Sequence, residues 1–374
     1  MFEILMIIIT GGAGFIGSCL AASLEKAELG PIVICDWLGQ EQKWRNLAAR
    51  TLHDIVAPQN LFAFLEANQK QIDVIFHMGA ISSTTETDVD KIITNNFCLS
   101  KYLFLWCSDK RKRFIYASSA ATYGDGQQGF DDKEDLASLK KLRPLNPYGW
   151  SKHAFDQFIS QTHERGEKFP AQSVGLKFFN VFGPNEYHKE GQRSVVHQIF
   201  PVAQRGEAFQ LFKSHNPDYA DGGQLRDFIW VQDCVDVMLW LYHHPRINGL
   251  FNVGTGESRS FLDLAKAVYV ALGKEPNISF RDMPEELRKH YQYFTQANMQ
   301  KLKAAGYSKP FTRLEDGVAA YVKEYLATDD PYCLRELYFI HINRIRDLFS
   351  RSPMIFKLLA ERFGDRFIIN KDNT

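Results

Sequence analysis

The sequence predicts an α/β fold, a doubly wound parallel sheet with a smaller α+β lobe interleaved into it. Three features carry that prediction. The first is an apolar run, Ile4 to Ile9, that passes directly into Thr10-Gly11-Gly12-Ala13-Gly14-Phe15-Ile16-Gly17 and then a helical pattern through Leu20, Leu24 and Ala27. An unbroken apolar run is how a strand buried on both faces of a parallel sheet reads. The second is repetition: Ile32–Cys35, Ile72–His77 and Phe114–Ala117 are further apolar strands, separated by helical stretches. The third is position. Asp36, Gly79-Ala80 and Ser118-Ser119 stand at strand carboxyl ends, where open α/β sheets bind their ligands.

The glycine-rich turn comes first in the chain. Gly11 permits a tight turn, Gly14 lets backbone approach a pyrophosphate, and Gly17 lets the helix pack on the strand. The helix amino terminus behind them faces anions, so strand, glycines and helix in this order predict a bound dinucleotide. Asp36 lies nineteen residues past Gly17, where an acid meets the adenosine ribose. Lys43 and Arg45 follow and can pair with a 2′-phosphate, which leaves NAD and NADP open with a lean to NADP. The third strand ends at Met78-Gly79-Ala80, whose last two residues are small enough for a dinucleotide to lie against. His77 reads as a packed structural histidine rather than a base.

Ser119 ends the next strand, placed to hydrogen-bond a reacting oxygen. Then comes Tyr148-Gly149-Trp150-Ser151-Lys152, preceded by Pro144 and Pro147, with Asn146 available to cap the helix. Tyr and Lys four apart share one helix face. An ammonium beside a phenol draws its pKa down from about 10, so Tyr148 is expected to exchange a proton with a carbinol near neutral pH. Beyond Phe178 the alternation breaks, and Gly/Pro-rich loops with mixed helices run to about Arg226. A substrate-binding lobe is expected there. Arg226 can grip a diphosphate bidentately, or form an ordinary pair with Asp227.

Composition narrows the function classes. The 44 basic and 44 acidic residues cancel, so nothing electrostatic points to nucleic acid or an anionic membrane. Six scattered cysteines with no Cys-x-x-Cys pair suit a reducing cytosol and argue against a disulfide framework or zinc site. His215 and His243-His244 lack partners at ligand spacing, so no metal is expected. The first apolar run is too short to span a bilayer.

Gly11 to Gly17, the Ser119 strand end and Tyr148-x-x-x-Lys152 together resemble the extended short-chain dehydrogenase/reductase superfamily of nucleotide-sugar epimerases and dehydratases, whose sheet is of the Rossmann type. Narrower segments are similar to the ADP-L-glycero-D-manno-heptose 6-epimerase family, from about Met6 to about Leu326. They include Gly79-Ala80-Ile81-Ser82-Ser83-Thr84-Thr85-Glu86, Phe179 to Pro184 with His188-Lys189, Leu225 to Val231, and Tyr291-Gln292 with Phe294-Thr295-Gln296-Ala297. Glu190 to Arg193 and Asp218 to Gln224 depart from that family's pattern.

The resemblance implies Tyr148 as catalytic acid/base, Lys152 as its partner and ribose contact, Ser119 on the substrate oxygen and Lys189 as second acid/base. It puts Phe15, Ile16, Asp36, Trp37, Lys43, Asn95 and Val181 on the cofactor, and Asn180, His197, Phe212, Arg226 and Tyr291 on the substrate. It implies one tightly held NADP, or NAD, per subunit, a nucleotide-sugar substrate and a cytoplasmic enzyme. It also implies a homo-oligomer, since members of the family resemble pentamers. The implied reaction is epimerisation at C6″ of ADP-heptose by transient oxidation and hydride return, toward the lipopolysaccharide inner core. A UDP-sugar 4-epimerase is the rival within the superfamily. A 4,6-dehydratase fits less well, because dehydratases carry Asp-Glu where Ala120 and Ala121 stand. A non-catalytic dinucleotide sensor is the rival from another class, and the Tyr148/Lys152 pair argues against it.

These readings divide the chain into a dinucleotide-binding domain, a lobe and an extension. The domain takes residues 1–178 with 227–256 and about 292–318; the lobe takes 179–226 with 257–291 and 319–327. Residues 328–374 continue past the family pattern with apolar residues at helical spacing, among them Leu334, Leu337 and Ile340. They are expected to be helices that cap the surface or join subunits and to be dispensable for chemistry. A basic membrane-surface helix and a poorly ordered appendage are the competing readings.

Overall fold

The computed structural model describes residues 5–288 and 291–333. Seven parallel strands form its main sheet: β1 (Met6–Thr10), β2 (Ile32–Cys35), β3 (Asp54–Val56), β4 (Ile72–His77), β5 (Arg113–Ser119), β6 (Gln172–Phe178) and β11 (Gly249–Val253). Their order is β11-β6-β5-β4-β1-β2-β3. The order reverses between β1 and β4, the switch point at which such sheets open a crevice. This is the doubly wound sheet that the sequence predicts.

β1 shows why the run reads as it does. Ile7 and Ile9 pack with Leu20 and Leu24 of the first helix (Phe15–Lys26) on one face. Met6 and Ile8 pack with Phe104 and Phe155 on the other. The period of two that sends alternate side chains to opposite faces is therefore apolar in both phases. Each fully buried isoleucine contributes about 1.5–3 kcal/mol, so the sheet is the most rigid support available to residues at its edge.

The interleaved lobe has three two-stranded pieces and its own core. β7 (Asn180–Phe182) pairs with β10 (Phe228–Trp230), β8 (Phe209–Phe212) with β13 (Ile278–Arg281), and β9 (Leu225–Arg226) with β12 (Arg259–Ser260). Helices Val195–Gln204, Phe261–Ala271 and Leu314–Ala320 pack together through Val196, Val268 and Val318. The boundary drawn at 318 thus cuts a lobe helix, because Leu314 and Val318 face the lobe core. The compact unit also runs on to Cys333, past the expected end of the lobe. The helices expected over 334–374 lie outside the described residues. Among the described residues, no helix is long and apolar enough to cross a membrane.

His77 is structural, as the sequence suggests. Its ring bridges Thr10 Oγ1 at 2.6 Å and Ser100 Oγ at 2.8 Å with no exposed surface. Burial, helped by the Lys152 charge, holds its pKa down to about 3. Below the ordinary value of 6.5 the unfolded chain binds a proton that the folded one refuses, so stability is present above 6.5 and lost as pH falls toward 3. The expected slope from this group is at most about 1.4 kcal/mol per pH unit. Urea midpoints between pH 7 and 4, compared for wild type and His77→Gln, should show a shallower acid loss in the variant. Superimposable profiles would assign the loss to other groups.

Candidate active site

The carboxyl ends of β1, β2, β4, β5 and β6 meet around a cavity of about 260 Å³. The glycine turn forms one wall. Gly11 has φ +65°, and a Cβ there would stand 2.4 Å from the Cα of Gly79, so only glycine lets the turn and the end of β4 touch. Gly14 precedes the first helix with no side-chain cap on its N–H groups, which leaves them directed at an anion. Phe15, Ile16 and Gly17 complete this wall, and Met78, Gly79 and Ala80 form the next. The cradle fits a dinucleotide pyrophosphate.

Asp36 and Lys43 line the cavity beyond the end of β2. One Asp36 oxygen accepts the Ala13 N–H at 2.9 Å, and the other meets Lys43 Nζ at 2.7 Å. Lys43 also donates to the Trp37 carbonyl at 2.9 Å. Trp37 therefore contributes backbone while its ring is 59% exposed and does not line the cavity. Asn95 also stays out, donating to Lys91 O within its own helix at 2.8 Å. Its neighbour Asn96 is the inward residue. It accepts from Ile81 N–H at 2.8 Å, donates to Ile81 O at 3.0 Å, and donates to Ser151 Oγ at 3.0 Å. A π-helical turn runs over Ile93–Cys98, and its wider winding changes which residues of the helix face inward.

Tyr148, Lys152 and Ser119 form the opposite wall. Asn146 caps their helix, Pro147–Glu164, by accepting Gly149 N–H at 2.8 Å. A Cβ on Gly149 would come within 2.7 Å of the Ala121 carbonyl, so this glycine lets the helix seat on the turn after Ser119. Asp156, one turn past Lys152, anchors it. Its carboxylate accepts from Tyr116 Oη at 3.0 Å and Ser118 Oγ at 2.8 Å, and pairs with Lys177 at 3.1 Å in a fully buried bridge.

The expected electrostatics need correction. Burial pushes the Tyr148 phenol up from its ordinary pKa, and a hydrogen bond with Ser119 holds it back. The Lys152 ammonium donates to the Ala117 carbonyl at 2.7 Å. Lys152 is itself drawn down to about 8 by burial, against the opposing charge of Asp156. Ser119, rather than Lys152, is the group in hydrogen-bond contact with the phenol.

Lys189 reaches the same cavity beside Val181 and His188. Its Nζ lies 5.5 Å from the centre of the Phe15 ring, and burial lowers its pKa, opposed by Glu186. Glu186 accepts from Ser194 Oγ at 2.6 Å and Tyr321 Oη at 2.9 Å. Glu190, directly after Lys189, has φ +47° and ψ −123°, a region that favours glycine and strains other residues by about 1–3 kcal/mol. Glu190→Gly should therefore raise stability by about 1 kcal/mol, read as a higher melting temperature; an unchanged or lower one would show no strain there. His188, at 3.4 Å from Asn46 Nδ2, is not among the site residues expected from sequence. Its place beside Lys189 is the signal for it.

The expected substrate residues divide. Arg226 and Tyr291 meet, the guanidinium lying 5.3 Å from the Tyr291 ring and 5.5 Å from Phe261. The alternative of an Arg226–Asp227 pair is absent among the described residues: Asp227 instead accepts Thr255 N–H at 2.7 Å, Ala297 N–H at 2.9 Å and Gly256 N–H at 3.0 Å. Phe212 lies in β8 under Arg281, and its carbonyl accepts from Gln224, so the 218–224 loop folds back on this strand. Asn180 is exposed in β7. His197 packs on Tyr187 at 5.5 Å. None of these five residues lines the cavity of the glycine turn.

The profile of the NAD dependent epimerase/dehydratase family matches residues 7–254. An ADP-L-glycero-D-manno-heptose-6-epimerase of Nitratidesulfovibrio vulgaris (strain DP4) is 47% identical over 329 residues, covering 87% of this chain and 100% of the relative. One from Fusobacterium nucleatum is 43% identical over 335 residues, covering 87% and 100%. The crystal structure of the Helicobacter pylori ADP-L-glycero-D-manno-heptose-6-epimerase superposes with TM-score 0.71 at 27% identity, over 86% of this chain and 96% of that one. The chain belongs to the NAD dependent epimerase/dehydratase family and, within it, to the family of the ADP-L-glycero-D-manno-heptose-6-epimerases.

Proposed function

We propose that this enzyme converts ADP-D-glycero-D-manno-heptose to its L-glycero epimer at C6″, a step toward the lipopolysaccharide inner core. The observation that carries the mechanism is that Tyr148 and Lys189, two proton carriers from different elements, line one cavity with the glycine turn. A nicotinamide dinucleotide held there supplies hydride acceptance and return. Tyr148, through its Ser119 contact, takes the proton of the C6″ hydroxyl as the carbinol is oxidised. The ketone then turns its other face, and its oxygen moves toward a second proton donor. Lys189, desolvated and therefore ready to give up its proton, serves that orientation. Lys152 holds the ribose. Arg226, buried among aromatic rings without a carboxylate partner among the described residues, receives the diphosphate, which offsets the cost of its burial.

NADP is the cofactor this reading favours. Lys43 neutralises Asp36, while Ala13 N–H occupies its other oxygen, so a 2′-phosphate meets a balanced rather than a negative rim. Lys43→Ala should weaken NADP about 10-fold, the scale of one charge-assisted hydrogen bond, and leave NAD nearly unchanged. Strong NAD preference in the wild type, unaltered by the change, would contradict it. Incubation with a panel of ADP- and UDP-sugars, read by NMR, tests the substrate: inversion at C6″ of ADP-heptose is expected. Inversion at C4″ of a UDP-sugar instead would make the chain a 4-epimerase.

A further inference from the structure

The segment after Ala327 is expected from sequence to stand apart from the chemistry, yet its described part is bonded to residues that neighbour Lys43 and Lys189, two residues lining the cavity. Tyr187 Oη donates to the Pro331 carbonyl at 2.6 Å, and Cys333 N–H donates to Asn185 Oδ1 at 3.1 Å. Arg50 Nη2 donates to the Cys333 carbonyl at 2.7 Å. Tyr332 is 9% exposed and meets the Tyr187 ring edge-on at 5.1 Å, and the Arg45 guanidinium lies 5.8 Å from the centre of the Tyr332 ring. Pro331 to Cys333 therefore form a strap with two anchors.

Each anchor belongs to a wall of the site. Asn185 and Tyr187 flank Glu186 and lead into His188 and Lys189. Arg45 follows Lys43 by two residues. Asn46, next to Arg45, donates to Ala13 O and Asn185 O, both at 2.9 Å, so the glycine turn, the Lys43 segment and the Lys189 loop share one network. The strap closes it from outside. Glu190 holds a strained conformation just past Lys189, and a strained loop keeps its geometry only where its surroundings over-determine it.

We propose that Tyr332 is a positioning residue that holds the Lys189 loop against the Lys43 segment. The proposal rests on the reading of Lys189 as the second proton carrier. The ring, and not the hydroxyl, does the packing, so Tyr332→Phe should behave as wild type.

The test uses full-length protein with Tyr332→Ala, Tyr332→Phe and Lys189→Met. Tyr332→Ala is expected to lower kcat about 10-fold with KM for the nucleotide sugar within about twofold, the split given by a loss felt at the reacting groups rather than in ground-state binding. Tyr332→Phe should restore kcat. Amide hydrogen exchange over 185–193 should quicken about 10-fold in the Ala variant alone, a readout that needs no turnover. Unchanged exchange and kcat in Tyr332→Ala, with Lys189→Met impaired, would overturn the strap and leave the mechanism standing. Wild-type kcat in Lys189→Met would overturn the two-carrier reading itself, whatever the exchange shows. Equal loss in the Ala and Phe variants would also refute the packing role.

Discussion

Tyr148→Phe should lower epimerisation by at least about 100-fold, and Lys189→Met by a comparable factor, the usual scale for a positioned acid or base. Dinucleotide binding should survive both changes, because both leave the glycines of the turn and the Asp36–Lys43 pair in place. The two variants should fail differently. A substrate-analogue aldehyde presented in either orientation should lose reactivity in only one orientation per variant, since in the proposed mechanism each residue serves one face of the carbonyl. Wild-type turnover in Lys189→Met beside an inert Tyr148→Phe would show that Tyr148 works alone. The direction of the Tyr148 pKa sharpens this expectation. Burial favours the neutral phenol, so ionisation must be favoured by what binds beside it, and the oxidised nicotinamide carries a positive charge.

The largest stability effect is expected at Asp156, through the helix that presents Tyr148. Asp156→Asn keeps an oxygen acceptor for only one of Ser118 and Tyr116, which donate to different carboxylate oxygens, and removes the negative charge facing the Lys177 ammonium, which has no exposed surface. Removing one partner of a buried ion pair costs about 3–5 kcal/mol. Burial already lowers the Lys177 pKa, with Asp156 as the main group raising it. Adding Lys177→Met removes the stranded charge, and most of the loss should return, as it does when a buried pair gives way to apolar packing. Urea denaturation of the two single variants and the double variant measures this. A neutral Asp156→Asn, or a double variant no better than the single, would show that the bridge is not what seats the helix.

How far the sequence reaches differs by element. β1 and its glycine turn are legible because both phases of the strand are apolar and the glycines stand where backbone must touch backbone at Gly79. Tyr148, Lys152 and Ser119 are legible as residues, but the direction of the Tyr148 shift is not. Four residues of helix spacing place an ammonium near a phenol, but the burial that favours the neutral phenol and the bond from Lys152 to the Ala117 carbonyl at 2.7 Å come from the tertiary fold. That carbonyl is at the end of another strand, so no local spacing reports it. Asn95 rests on family position, and the inward side chain of the pair is Asn96, on a π turn that local helical spacing does not report. The Asp156–Lys177 bridge joins residues far apart in the chain and reads locally as two ordinary charges. Asn180, His197, Phe212 and Tyr291 rest on family position alone, and none of them lines the cavity of the glycine turn.

The central claim is that C6″ is inverted by removal and return of its own hydrogen, with proton transfer confined to oxygen. It is tested most directly with ADP-D-glycero-D-manno-heptose carrying deuterium at C6″, turned over by the full-length enzyme in ordinary water and read by NMR. The expected product is the L-glycero epimer with the deuterium kept at C6″. Protium in its place would mean that carbon exchanged a proton with water, and would contradict the mechanism assigned to Tyr148 and Lys189.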